Sequence, residues 1–180
     1  MTVKIYLDVD DTLADFRGHC LTNGTPDYDK GFYNEPIETW TPDNHAVNAM
    51  QIKLMKREDF WMGIPVMEGA LDLVATATTR AETYLLTALP RGDDHAMLEM
   101  VRRAKVEYCR HFLHFPTNRI IVCHRHEKAN YATRVHTDQR NLLVDDAQRN
   151  IAEWTAAGGR GIVHGSIALS VSIIKGLFDR

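Results

Sequence analysis

With 180 residues, a quarter of them charged and 44 % apolar, the chain has room for one well-buried core and a modest insertion, and its lack of internal repeats or low-complexity tracts excludes solenoid arrays and disordered proteins. A formal net charge of -3 provides no broad positive field, so duplex nucleic acid is not an expected partner. The three cysteines, Cys20, Cys109 and Cys123, are scattered and form no Cys-x-x-Cys pair, which excludes a disulfide framework or zinc ribbon and suits reduced thiols in a cytoplasmic protein.

The N-terminus runs from Met1 directly into an apolar, β-branched segment, 3–7, that ends on Asp8, with no basic segment, apolar stretch and cleavage site of an export signal. This segment reads as a buried parallel strand that delivers Asp8 at its carboxyl end. From residue 15 to 65 the composition changes. Asn23-Gly24, Pro26, Pro36 and Pro42-Asp43 punctuate an aromatic and polar stretch, and a helix is expected over 44–57, so this part reads as an inserted, mostly helical cap. A helix over 69–77 and a strand over 83–87 follow, the latter stopped by Ala88-Leu89-Pro90. Next come a mixed-charge helix over 94–112, a strand over 118–123, a strand over 141–144 ending on Asp145-Asp146, a helix over 147–157 closed by Gly158-Gly159, and a strand over 161–164. The terminal apolar run, 167–174, is broken by Ser170 and Ser172, is too short to cross a bilayer, and reads as an amphipathic helix. Strand and helix alternate throughout, which predicts an α/β fold with a Rossmann-like, doubly wound parallel sheet and ligands bound outside the carboxyl ends of its strands. The predicted division is a core of 1–14 and 66–180 and a cap of 15–65.

Four successive strand ends carry Asp8 and Asp10, Thr87, Lys128 a few residues past its strand, and Asp145-Asp146. Facing carboxylates repel unless a cation lies between them, and hard oxygen ligands with room for water and phosphate suit Mg²⁺. A carboxylate can attack phosphorus when cationic and hydroxyl donors neutralise the phosphoryl oxygens; Lys128 and Thr87 are of that type. A second carboxyl two residues further on, at Asp10, could exchange the leaving group's proton.

These segments, Ile5 to Leu13 around Asp8-Val9-Asp10, Leu85-Leu86-Thr87, Lys128, and Leu142 to Asp146, together resemble the four motifs of the haloacid-dehalogenase superfamily. The resemblance implies that Asp8 is the nucleophile and a Mg²⁺ ligand. Asp10 would be the general acid and base with its carbonyl on the metal, Thr87 and Lys128 would hold phosphate, Asp145 would ligate Mg²⁺, and Asp146 would support it. Arg125, in the basic run 123–128, is expected to share the phosphate. Through Leu13-Ala14-Asp15-Phe16, Gly31-Phe32-Tyr33 and the stretch from Phe60-Trp61 to Gly69-Ala70, the chain is most similar to the 5'(3')-deoxyribonucleotidases. That likeness implies hydrolysis of deoxyribonucleoside monophosphates, with Phe16, Phe32, Tyr33 and Trp61 walling a slot for base and sugar. It departs at Asp11, where that family usually has Gly, and at Ala88, where a hydroxyl residue is common. Other small phosphomonoesters, a polynucleotide 3'-phosphate end, or a catalytically silent nucleotide-binding role are the alternatives. The expected partner is thus a small molecule, with no membrane and with a homodimer left open.

The remaining polar clusters read as structural. His124 and His126 lack a convincing fourth ligand, and Arg102, Arg103, Lys105 and Arg110, interleaved with Glu99 and Glu107, read as a solvated helix face.

Overall fold

In the computed structural model of the chain, residues 3–132 and 140–179 are described. Five strands, β1 (Lys4–Leu7), β2 (Glu82–Ala88), β3 (Ile120–Cys123), β4 (Leu142–Asp145) and β5 (Arg160–Val163), form one all-parallel sheet in the order β3-β2-β1-β4-β5. The order runs outward from β1 in both directions, so the topological switch point falls between β1 and β4, where Leu7 pairs with Val144. The next residue of each strand is a carboxylate, Asp8 or Asp145.

Alternation along the strands builds both faces. Ile5, Leu7, Leu85, Leu142 and Val144 pack into the larger cluster; Tyr6, Leu86, Cys123 and Leu143 point to the opposite face. The first face is covered by α4 (Ala70–Thr78), α5 (His95–Phe112) and α7 (Ile167–Phe178). On the second, Trp154 of α6 (Gln148–Ala156) lies edge-on to Tyr6, its indole N–H donating to Asn141 O at 3.2 Å. Both faces being buried explains why the central strands β1 and β4 read as near-continuous apolar runs. Side chains fix the helix starts: Asp94 accepts from Met97 N at 3.0 Å to begin α5, and Ser166 accepts from Leu169 N at 3.3 Å to begin α7. No helix among the described residues is long and apolar enough to cross a membrane.

Between β1 and β2 the chain makes a helical excursion. It comprises α1 (Phe16–Thr22), two short 3₁₀ turns (Lys30–Asn34 and Ile37–Thr39), α2 (Pro42–Met55) and α3 (Glu58–Met62). The excursion leaves and returns side by side: Ala14 bridges Val66 antiparallel, Asp15 N donates to Pro65 O at 2.9 Å, and Met67 N donates to Leu13 O at 2.9 Å. α2 starts with Thr41 and Asn44 in a reciprocal capping box and Pro42 in its first turn. The helix expected over 44–57 therefore begins two residues earlier and ends at Met55, with α3 separate from it.

Candidate active site

The site lies at the carboxyl ends of β1, β2 and β4, under the helical excursion, in a cavity of about 490 Å³. Asp8 and Asp145 are both buried, the latter completely. Lys128, carried by a 3₁₀ segment (Arg125–Tyr131) after β3, inserts its ammonium between them, 2.8 Å from Asp8 Oδ1 and 2.7 Å from Asp145 Oδ2. Of the basic run 123–128, it is the residue that reaches the carboxylates. Burial, and then the charge of Asp145, push the Asp8 carboxyl well above its ordinary range, although Lys128 opposes the shift. Burial would lower the Lys128 pKa, but the charges of Asp145 and Asp8 outweigh it and raise it.

Asp145 is held from several sides. Asn150 Nδ2 donates to its two oxygens at 3.0 and 2.9 Å, and Ala147 N donates to Oδ1 at 2.9 Å. Asp146 extends to the same spot: one carboxylate oxygen from each of Asp8, Asp145 and Asp146 lies within 4.8 Å of the others. This is the one such cluster among the described residues. Asp8 Oδ1 is buried and has the Lys128 ion pair but no well-directed hydrogen bond, so it retains capacity for a second cation. An all-oxygen, carboxylate-rich donor set of this kind fits a hard divalent ion such as Mg²⁺.

The residues singled out in the sequence divide into three groups. Asp8, Asp10, Lys128, Asp146, Arg125, Phe16, Tyr33 and Trp61 line the cavity. Thr87 and Asp145 are fully buried just behind its surface, with Thr87 Oγ1 taken by Lys105 at 2.9 Å. Phe32 does not line the cavity. Its ring packs against Tyr33 (4.0 Å between centroids) and Trp40 (4.8 Å), which places it in the support of the wall rather than in the wall. Arg125 is engaged by Glu153 at 2.7 Å and by Asn150 Oδ1 at 3.3 Å, so it also braces the amide that holds Asp145.

One expectation is overturned. Lys105 is not on a solvated face: its side chain is 3 % exposed and its ammonium pairs with Asp10 Oδ2 and lies 4.9 Å from the centre of the Trp61 ring. Arg102, half-buried, donates to Val122 O; Arg103 and Arg110 are the solvated members of that set. A signal for Lys105 was present, because it falls on the stripe Met97, Leu98, Val101, Ala104, Tyr108 and Cys109 that α5 buries. Gln51 was also overlooked. It lies on the buried stripe Val47–Gln51–Met55 of α2, accepts from Tyr33 Oη and donates to Tyr28 Oη at 2.6 Å, ordering two phenols at the cavity.

No family model matches the sequence, and no curated protein matches it. Comparison of structures gives the fold, which is that of the haloacid-dehalogenase-like hydrolases. A hydrolase of this type from Xanthomonas campestris superposes with a TM-score of 0.56 at 16 % identity, covering 99 % of this chain and 96 % of the other. The HAD-hydrolase YfnB of Bacillus subtilis, solved with magnesium bound, gives 0.52 at 14 % identity, covering 99 % of each chain. A haloacid-dehalogenase-like hydrolase of Streptococcus pneumoniae gives 0.52 at 12 % identity, covering 97 % of this chain and 91 % of its own.

Proposed function

We propose that this chain is a Mg²⁺-dependent phosphomonoesterase that forms a phosphoenzyme on Asp8, with deoxyribonucleoside monophosphates as substrates. The observation that carries the reading is the cluster Asp8, Lys128, Asp145 and Asp146 at the switch point of the sheet, where this topology places ligands. Magnesium on YfnB, which shares the fold, is in keeping with it.

Asp8, Asp145 and Asp146 would hold the ion together with the Asp10 carbonyl. Bound there, the metal supplies charge neutralisation for the phosphoryl oxygens and for the crowded carboxylates. Lys128 supplies a fixed positive charge beside the attacking oxygen and favours the carboxylate form of Asp8 against the upward push of burial and of Asp145. Asp8 attacks phosphorus, the P–O bond to the substrate's alkoxide breaks, and Asp10 gives that alkoxide a proton. Asp10 then takes a proton from a water that attacks the phosphoryl group, the bond to Asp8 breaks, and inorganic phosphate leaves. Asp10 is suited to this exchange because its carboxyl is 29 % exposed at the cavity, whereas Asp8 is almost closed off. Thr87 would join the phosphate-binding donors, with Arg125 at the cavity edge.

The nucleotide assignment is supported by the wall. Phe16 and Trp61 stack with centroids 5.9 Å apart, Tyr28 and Tyr33, both bonded to Gln51 of α2, line the same cavity, and Asn48 and Gln51 add amides beside these rings. Such a slot can stack a base and disfavours an unpaired 2'-hydroxyl. The excursion over 15–65 acts as the cap that excludes water from the reaction. Three buried free thiols suit a reducing, cytoplasmic compartment.

A panel of ribo- and deoxyribonucleoside monophosphates and sugar phosphates, assayed with Mg²⁺ and with chelator, tests the reading. Deoxyribonucleotide turnover that chelator abolishes is the expected result. Equal turnover of ribo- and deoxyribo-forms, or preference for sugar phosphates, would overturn the substrate; turnover unaffected by chelator would overturn the metal.

A further inference from the structure

We infer that Lys105 is a positioning residue for Asp10: its ammonium holds Oδ2 of that carboxyl, so that Oδ1 is the oxygen that meets the substrate's leaving oxygen. The inference rests on the acid–base reading of Asp10 given above and adds to it how that side chain is oriented.

Three contacts cage the ammonium. It pairs with Asp10 Oδ2, donates to Thr87 Oγ1 at 2.9 Å, and sits against the face of Trp61 at 4.9 Å from the ring centre. Each contact comes from a different part of the fold: the loop after β1, the end of β2, and α3. The supporting stem is rigid, because α5 is a long helix whose stripe on either side of Lys105 (Val101, Ala104, Tyr108, Cys109) is buried in the main core. A lysine so enclosed loses rotamer freedom and desolvates a charge, and both costs need a compensating partner. Asp10 provides it.

The geometry divides labour between the two oxygens. A carboxyl oxygen that accepts from an ammonium can do so whether the group is ionised or carries its proton on the other oxygen. Asp10 Oδ2 is turned to the buried lysine, while the carboxyl as a whole keeps its opening to the cavity. The proton therefore comes and goes on Oδ1, and rotation about the last side-chain bond, which would exchange the oxygens and swing the proton off line, is checked by Lys105. Lys128 cannot substitute, because it is committed to Asp8 and Asp145. The site thus holds two buried ammonium groups with separate tasks, one for the nucleophile and metal carboxylates and one for the proton carrier.

Lys105→Met in the full chain tests this with two substrates that differ in their need for a proton. An alkyl phosphate, for which a nucleoside monophosphate serves, has a leaving oxygen that must be protonated; p-nitrophenyl phosphate does not. The readout is kcat/KM, which reports the step in which the leaving group departs. The expected result is a fall of roughly 10²-fold on the alkyl ester and less than about 10-fold on the aryl ester, because general acid catalysis of this kind contributes about that much. In the background of Asp10→Asn, the same substitution should cost the alkyl ester little further, since the group it positions has gone. An equal fall on both esters would make Lys105 a phosphate-binding or structural residue and overturn the inference, as would full additivity with Asp10→Asn. Lys105→Gln, whose uncharged and shorter amide cannot reproduce the ammonium's hold on Asp10 Oδ2 but leaves a polar group in the cage, replaces the Met variant if the latter does not fold, with the same selective fall on the alkyl ester expected. Should Asp10→Asn itself spare alkyl ester turnover, the acid–base reading of Asp10 fails, and that is distinguishable from failure at Lys105 alone.

Discussion

Lys128 stands between Asp8 and Asp145, with its ammonium within 2.8 Å of one carboxylate and 2.7 Å of the other, all three side chains being almost wholly removed from water. Removing one member of a buried ion pair strands the charge of the rest, at a cost of about 3–5 kcal/mol. Lys128→Met should therefore lower stability by about that much in chelator, as read by urea unfolding, as well as abolish turnover. Mg²⁺ should restore part of the lost stability, since it neutralises the same two carboxylates. A variant equally unstable with and without Mg²⁺ would argue that the ion does not bind at these residues.

Asn150 donates to both oxygens of Asp145 from the first turns of α6. Asn150→Ala removes a donor to both oxygens of a buried carboxylate and leaves its orientation to Lys128 and Ala147 N. Loss of a supporting partner of this kind typically weakens metal binding by about 10- to 100-fold. Titration of Mg²⁺ by calorimetry should show a shift of that order, with turnover recovering at high Mg²⁺.

Asp11 adopts a left-handed backbone conformation (φ 56°) while its Oδ1 accepts from Arg17 N at 2.8 Å in the first turn of α1. This backbone geometry is one that glycine adopts without strain, while the side chain gives aspartate a bond that glycine would lack. Asp11→Gly trades relieved strain against a lost acceptor, so its effect on stability should be small. Asp11→Ala has the loss without the relief and should be less stable than the glycine variant by about 1 kcal/mol. Thermal unfolding of the two variants gives the ranking; alanine above glycine would refute it.

Gly159 lies where the chain turns from α6 into β5, and a Cβ there would fall 2.1 Å from Nε1 of the fully buried Trp154. The indole cannot retreat without breaking its bond to Asn141 O and its packing on Tyr6. Gly159→Ala should destabilise the protein by about 1–3 kcal/mol while leaving KM near its starting value in the folded fraction.

Burial pushes the thiols of Cys20 and Cys109 up to about 12 and that of Cys123 to about 11, from an ordinary value of 9.0. Because the thiolate is the reactive form, a thiol-specific reagent at neutral pH should label all three only after unfolding. The folded state favours the protonated thiols, so their contribution to stability is present below about pH 9 and is lost as pH rises toward 11 to 12. Replacing any one by alanine should shallow this alkaline loss in a pH series of unfolding curves. Fast labelling of the native protein would contradict the burial.

The central strands β1 and β4 were legible because a parallel strand covered on both faces must be apolar along its length, and each of these runs leads to the aspartate it delivers. Asp8 and Asp145-Asp146 could be read in this way, and so could the helical character of the excursion between Asp15 and Pro65. The solvated reading of α5 failed for a specific reason. Six charges on one helix look alike in composition, and only their angular position separates Lys105, on the stripe with Val101 and Tyr108, from the exposed Glu99, Arg103, Glu107 and Arg110. Phe32 poses the opposite problem: aromatics close in sequence can line a slot or support one, and its ring packs on Tyr33 and Trp40 outside the cavity lining.

By itself, the sequence determined the α/β alternation, the excursion after the first strand and the carboxylates at the strand ends, because periodicity and chain punctuation are local properties. The choice of partner for each charge was decided only in three dimensions. Lys128 lies 17 residues from Asp145, and Lys105 lies 95 residues from Asp10. Their pairings depend on strand order, on the pitch of a helix and on which side chains exclude water around them, since a charge finds its energy in its surroundings rather than in its neighbours along the chain.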